Sequence, residues 1–237
     1  MQYVRTLRFR CHCEPEAWQS RWIASSSSLA PLGTSLTMTL GGRLAKKFIL
    51  ILGGARSGKS TFAQSLAAKL GKKVLFVATG EPLDEEMASR IEEHKRRRPK
   101  NWRTLEINTQ VGQKLQGQIK DADVVLLDCI TLLVSNAILS PSLCHSEGAQ
   151  RPQNLEEIKS AKAEKQVMAE MEDLIDCIDK HECNFIVVSN EVGLGLVPDN
   201  KLGRVYRDLL GKANQLLAQH ATEVYFMVSG IPVKIKG

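Results

Sequence analysis

The sequence predicts an α/β fold: a mostly parallel central sheet with helices on both faces and antiparallel closing strands. Three observations carry this. Strand-length apolar runs alternate with helical periods from about Lys47 to the C-terminus. The segment Gly53-Gly54-Ala55-Arg56-Ser57-Gly58-Lys59-Ser60 fits G-x-x-x-x-G-K-[ST]. That loop lies between an unbroken apolar run, Phe48–Leu52, and a helical segment, Thr61–Leu70. Strand, glycine loop and helix in this order define a P-loop NTPase, and a RecA-like arrangement is the expected one.

The elements follow in order. Phe48–Leu52 has no polar alternation, so both of its faces are expected to be covered, as in a parallel sheet. In Thr61–Leu70 the residues Phe62, Leu66 and Leu70 share one helical face. Lys73–Ala78 reads as a strand. Asp84–Arg98 reads as a helix, with Pro82 and Asp84 as its start signal, Glu85 and Glu86 at its positive end and Pro99 as its stop. Trp102 is a packing residue, and Glu106 stands at a strand end. Asp123–Asp128 is a strand, Leu155 to His181 a long helix, Asn184–Ser189 a strand and Lys201–His220 a helix. Glu223–Ser229 and Val233–Lys236 close the sheet. Ligands of such sheets gather beyond the carboxyl ends of the strands, where the informative loops fall.

Composition narrows the class. The 237 residues suffice for one large α/β domain or two small ones, and 43% hydrophobic content supports a core. Residues 1–46 carry Ser25–Ser28, Pro31, Gly33, Gly41 and Gly42 without a sustained period, and read as a disordered extension with Met38 as a candidate start. Residues 47–237 form the domain, with a polar insertion at about 140–153. No run approaches the ~20 apolar residues of a membrane span. Arg5, Arg8 and Arg10 are followed by Glu14, Trp18 and Trp22 instead of an apolar segment, so no secretory signal is expected. Six cysteines show no regular framework, and reduced thiols in the cytoplasm are expected. Cys11-His12-Cys13 lacks a second half with metal-site spacing. The formal charge of +6 suits phosphate handling without itself arguing for nucleic acid.

The chemistry-bearing residues sit at the strand ends. The glycines let backbone N–H groups close around phosphate oxygens, Lys59 adds a full positive charge, and the Ser60 hydroxyl suits Mg²⁺. Asp128 ends an apolar strand, placed either to hold Mg²⁺ or to cap the next turn. His94 lies three residues after Ile91, near the inward face of its helix, and precedes Lys95, Arg96, Arg97 and Arg98. Those cations disfavour imidazolium, leaving a lone pair able to attack phosphorus. The other reading of this segment is a solvated basic helix end. Glu106 is a candidate acceptor for a ribose or base. Ser189–Asn200 reads as a substrate lid or as an ordinary connection, with Arg204, Arg207 and Asp208 able to face the same cleft.

Taken together, several segments resemble the bifunctional adenosylcobinamide kinase/adenosylcobinamide-phosphate guanylyltransferase family. They are Gly53–Ser60, Arg90–Pro99 with Trp102, Asp128-Cys129-Ile130-Thr131, Val188–Gly193 and Val228-Ser229-Gly230-Ile231-Pro232. The likeness runs from about Lys47 to the C-terminus, outside the 140–153 insertion. It implies phosphorylation of adenosylcobinamide by ATP or GTP, then transfer of GMP from GTP through a covalent GMP–histidine. It assigns that histidine to His94, with Lys59 as a second catalytic residue. It assigns nucleotide contacts to Gly53–Ser60, Thr79, Gly80, Glu81, Lys95, Arg96, Arg97, Arg98, Glu106 and Asp128, and Mg²⁺ to Ser60 and Asp128. It also implies a homotrimer. Two alternatives stand beside it: another P-loop small-molecule kinase, and a RecA-like nucleic-acid-dependent ATPase using Lys95–Arg98. Few aromatics are available for base stacking, so nucleic acid is not the expected partner.

Overall fold

The P-loop strand lies inside a seven-stranded sheet, flanked on both sides by parallel neighbours. The computed structural model describes residues 46–81, 85–139 and 160–237. Within them, the side chains of Glu86, Met87, Arg90, His94 and Arg97 lie outside the described set. So do the N-terminal extension with Met38 and Cys11-His12-Cys13, the helix start at Pro82 and Asp84, and the 140–153 insertion. All described residues fall in the unit Leu44–Gly237.

The elements are β1 (Phe48–Gly53), α1 (Lys59–Leu70), β2 (Val74–Ala78), α2 (Glu85–Arg97), β3 (Arg103–Glu106), α3 (Val111–Leu115) and β4 (Val124–Asp128). They continue with α4 (Ile130–Ile138), α5 (Ser160–Lys180), β5 (Asn184–Val188), α6 (Lys201–His220), β6 (Glu223–Val228) and β7 (Ile231–Lys236). The strand order is β3-β2-β4-β5-β1-β6-β7, parallel except for the antiparallel β6–β7 pair. The expected architecture is present, including the closing hairpin.

Alternate residues of each strand feed two core layers, as the two-residue side-chain period requires. Leu50, Leu75, Val125, Leu127, Phe185 and Val187 pack against α3 to α6. Ile49, Ile51, Phe76, Leu126, Ile186 and Val188 pack against α1 and Trp102 on the opposite face. Every β1 residue is buried, which explains its unbroken apolar sequence.

Two helices were not anticipated. α4 is buried nearly all round, so it shows no polar stripe to read. α3 spans five residues and begins after Gln110 at φ 54°. Its first N–H groups, from Gln110 and Val111, are accepted by Glu170 of α5 at 2.9 and 2.6 Å. A cap supplied from sixty residues away leaves no local signal. The backbones of α3 and α5 touch so closely that a Cβ on Gly112 would lie 2.2 Å from the Asp173 carbonyl oxygen. Gly112→Ala is therefore expected to cost about 1–3 kcal/mol or more, read as a lowered urea midpoint with an unchanged m value.

Glu223 knits the far edge of the sheet. Its carboxylate accepts from Lys47 Nζ at 2.7 Å and from the Tyr225 hydroxyl at 2.8 Å, with Lys234 Nζ at 3.4 Å. The Lys47 hydrogen bond is the largest cause that pulls its pKa from 4.5 down to about 2. A depressed carboxyl stabilises the fold fully above its unfolded pKa and loses that contribution as pH falls towards its folded one. Urea titrations of wild type and Glu223→Gln should therefore differ most above pH 5 and converge as pH drops to about 2.

Candidate active site

A cavity of about 710 Å³ opens beyond the carboxyl ends of the central strands. One wall is the loop between β1 and α1. Gly53 has φ 147°, and a Cβ there would lie 2.8 Å from the Met227 carbonyl oxygen. Gly58 caps α1 from the left-handed region at φ 91°. Only glycine takes these conformations without strain, so the pattern glycines shape the loop that Ala55 to Thr61 present to the cavity. Gly53 and Gly54 themselves do not line it.

Lys59, 8% exposed, turns its ammonium back onto the Gly54 carbonyl at 2.6 Å. Burial lowers its pKa, with Cys129 and Asp128 acting in the opposite direction. The Ser57 hydroxyl is buried without a hydrogen-bond partner among the described residues. Ser60 and Asp128 add two hard oxygen donors to the same cavity. The Cys129 thiol also lines it, but burial pushes its pKa up to about 11, so it stays protonated at neutral pH.

The opposite wall is α2, from which Ile91, Glu92, Glu93, Lys95 and then Arg98 line the cavity. His94 lies on this helix among them; its side chain lies outside the described residues, as does that of Arg97. Lys95 Nζ meets Glu106 at 2.9 Å, linking α2 to the end of β3. The Arg98 guanidinium stacks 3.8 Å over the Phe76 ring, and its Nε is buried with no partner among the described residues. Burial lowers its pKa, against the pull of Asp128 and Glu106. A cationic rim with an unsatisfied buried donor is suited to an anion.

Other expected contacts stand elsewhere. Gly80 lines the cavity, but the Thr79 side chain is fully buried. Its hydroxyl donates to the Cys129 carbonyl at 2.7 Å and accepts from the Cys129 N–H at 2.9 Å, so it sets the turn after Asp128. Glu81 accepts from the Asn108 amide, and Arg96 donates to the Glu92 carbonyl on its own helix. Arg204, Arg207 and Asp208 do not join the cleft. Arg204 donates to the carbonyls of Pro198 and Asp199, and Arg207 pairs with its neighbour Asp208. The loop after β5 splits likewise: Asn190 lines the cavity, whereas Leu194, Leu196 and Val197 are 80%, 95% and 63% exposed. Phe76, Thr131 and Asn190 were not expected as individual lining residues; Asn190, just past the end of β5, carried a positional signal, whereas Phe76 lies inside β2 and Thr131 inside α4. A second cavity of about 280 Å³, between α4 and the start of α6, is lined by uncharged residues such as Ile138, Leu202 and Tyr206.

Residues 49–235 match the family model for cobinamide kinase/cobinamide phosphate guanyltransferase. The chain belongs to this family. Among its relatives is the bifunctional adenosylcobalamin biosynthesis protein CobU of Escherichia coli (strain K12), 40% identical over 188 residues, spanning 79% of this chain and 99% of that protein. The CobU of Salmonella typhimurium matches with the same identity and coverage. CobP of Pseudomonas aeruginosa is 39% identical, over 79% of this chain and 96% of that protein. Among solved structures, the RadB recombinase aligns over 77% of this chain and 74% of its own at 16% identity and a TM-score of 0.37. Family membership sets aside the two alternatives, an unrelated P-loop kinase and a nucleic-acid-dependent ATPase. Among the described residues no helix is long and apolar enough to cross a membrane.

Proposed function

We propose that this chain phosphorylates adenosylcobinamide with ATP or GTP. It then transfers GMP from GTP to adenosylcobinamide phosphate through a covalent GMP–His94 intermediate, yielding adenosyl-GDP-cobinamide and pyrophosphate in cobalamin biosynthesis. The observation that supports this most is the shared cavity: the P-loop with Lys59 and Ser60 forms one wall, and the helix carrying His94 forms the other.

In the kinase step, Lys59 exchanges the Gly54 carbonyl for phosphate oxygens, and the Ser57 hydroxyl gains a partner. Phosphoryl transfer needs alignment and charge neutralisation more than covalent help. No group of three or more His, Cys, Asp or Glu side chains that could hold a metal occurs among the described residues. Ser60 and Asp128 would hold a Mg²⁺ ion arriving with the nucleotide. When bound, it supplies charge neutralisation at the phosphates. In the second step the His94 imidazole attacks the α-phosphorus; an N–P bond forms and the bond to pyrophosphate breaks. A phosphate oxygen of adenosylcobinamide phosphate then displaces the imidazole. Arg98 and Lys95, which line the same cavity, neutralise the oxygens in both displacements in this reading.

A homotrimer in the cytoplasm completes this reading. The alternate β7 residues Ile231, Val233 and Ile235 are 65%, 45% and 60% exposed, an apolar strip that self-association would cover. Light scattering that returned a monomer mass would exclude the trimer. The catalytic claim is tested with two labelled nucleotides. GTP labelled at the α-phosphorus should give acid-labile, alkali-stable protein labelling that discharges onto adenosylcobinamide phosphate. ATP labelled at the γ-phosphorus should label adenosylcobinamide. Absence of both transfers would overturn the proposal.

A further inference from the structure

We propose that Asn190 donates a hydrogen bond to the terminal phosphate of the bound triphosphate, a role held ready by Thr131 and Asn214. This rests on the reading that a triphosphate occupies the P-loop. β5 runs between β4 and β1, and Val188 pairs with Asp128 on one side and Ile51 on the other. Asn190, two residues further on, emerges between the Asp128 strand and the P-loop and lines their cavity.

Its backbone is held from three directions. Its N–H donates to Thr131 Oγ1, in the first turn of α4, at 2.9 Å. Its carbonyl accepts from Asn214 Nδ2, on α6, at 3.0 Å. The next N–H, of Glu191, donates to the Gly53 carbonyl at 3.0 Å. Asn214 is buried, and its Oδ1 accepts from the buried Ser189 hydroxyl at 2.7 Å. Two buried polar side chains are thus committed to one short stretch of backbone, an arrangement that fixes direction.

The Asn190 carboxamide makes no hydrogen bond with any described residue. Asparagine in a turn commonly bonds its own backbone two residues on. Here the backbone groups are satisfied by other elements, and the residue lines the cavity with its amide uncommitted among the described residues. Lys59 supplies charge; Asn190, on a backbone held in place after the strand between Asp128 and the P-loop, supplies a neutral donor to the same cavity. It is a contact residue, and Thr131 and Asn214 are positioning residues.

Calorimetry of the full chain with Mg²⁺ and without adenosylcobinamide tests this, using GDP and the α,β-methylene analogue of GTP, whose α–β bridge His94 cannot cleave. Asn190→Ala should weaken the analogue about tenfold, as expected for a lost hydrogen bond to a charged group, and leave GDP within about twofold. Asn190→Asp should weaken the analogue further, because it sets a negative charge against phosphate. Thr131→Val should reproduce part of the loss, and Thr131→Ser should restore it. Melting temperatures check folding, with Asn190→Ser as the substitute should the alanine variant be unstable. Equal weakening of both nucleotides, or of neither, would overturn the proposal. A wild type that discriminates the two nucleotides yet leaves adenosylcobinamide unmodified would instead overturn the proposed function, so the two failures are distinct.

Discussion

His94→Asn is expected to lose GMP transfer by at least about a thousandfold while keeping the kinase step within a few-fold. Asparagine approximates the size of imidazole but has no lone pair of comparable nucleophilicity, so the N–P bond cannot form. Phosphoryl transfer to a substrate hydroxyl uses the P-loop wall with Lys59 and Ser60, which this substitution leaves intact. The variant should therefore accumulate adenosylcobinamide phosphate, visible by chromatography, and take up no label from α-labelled GTP. Parallel loss of both steps would make His94 structural and remove the covalent route from the proposed mechanism.

Lys59→Met is expected to lose the kinase step as well, depressing both reactions by about a hundred- to a thousandfold, in line with removal of a single preorganised donor to a developing oxyanion. Both steps require a triphosphate in the loop, so both should fall together, and nucleotide binding with them. The fold should not suffer equally. Lys59 is buried, and burial already lowers its pKa. Methionine fills much of the same space without a desolvated charge. The melting temperature should stay level or rise, which separates loss of chemistry from loss of structure.

Legibility in the sequence tracked how local the deciding interactions are. β1 announces itself because both its faces are buried, and the loop after it because Gly53 and Gly58 adopt backbone conformations that favour glycine. Asp128 closes the apolar run of β4, where a carboxylate is visible, and Glu106 ends the short β3. By contrast, α3 takes its cap from Glu170 on α5, and α4 hides its period by being buried nearly all round. Thr79 has a type and position that suit a ligand contact, and only the three-dimensional fold shows its hydroxyl committed to Cys129. Arg98 was legible as a cation; its stacking on Phe76 joins residues of α2's far end and β2, a pairing no periodicity reports. The clamp on Asn190 needs three elements far apart in the chain, and so could not be read from any one segment.

The position of β1 also governs when the catalytic machinery can exist. Its partners are β5 and β6, with Phe48 beside Phe185 and Ile49 beside Glu223. A growing chain emerging from the ribosome therefore carries its nucleotide loop on a strand with neither neighbour until β5 has been synthesised, and with only one until β6 follows. Loop closures of this span slow folding, and until they occur both edges of β1 are open to foreign strands. Nascent fragments ending before β5 would thus be inert towards nucleotide, and the docking of β5 and β6 acts as the step that commissions the enzyme.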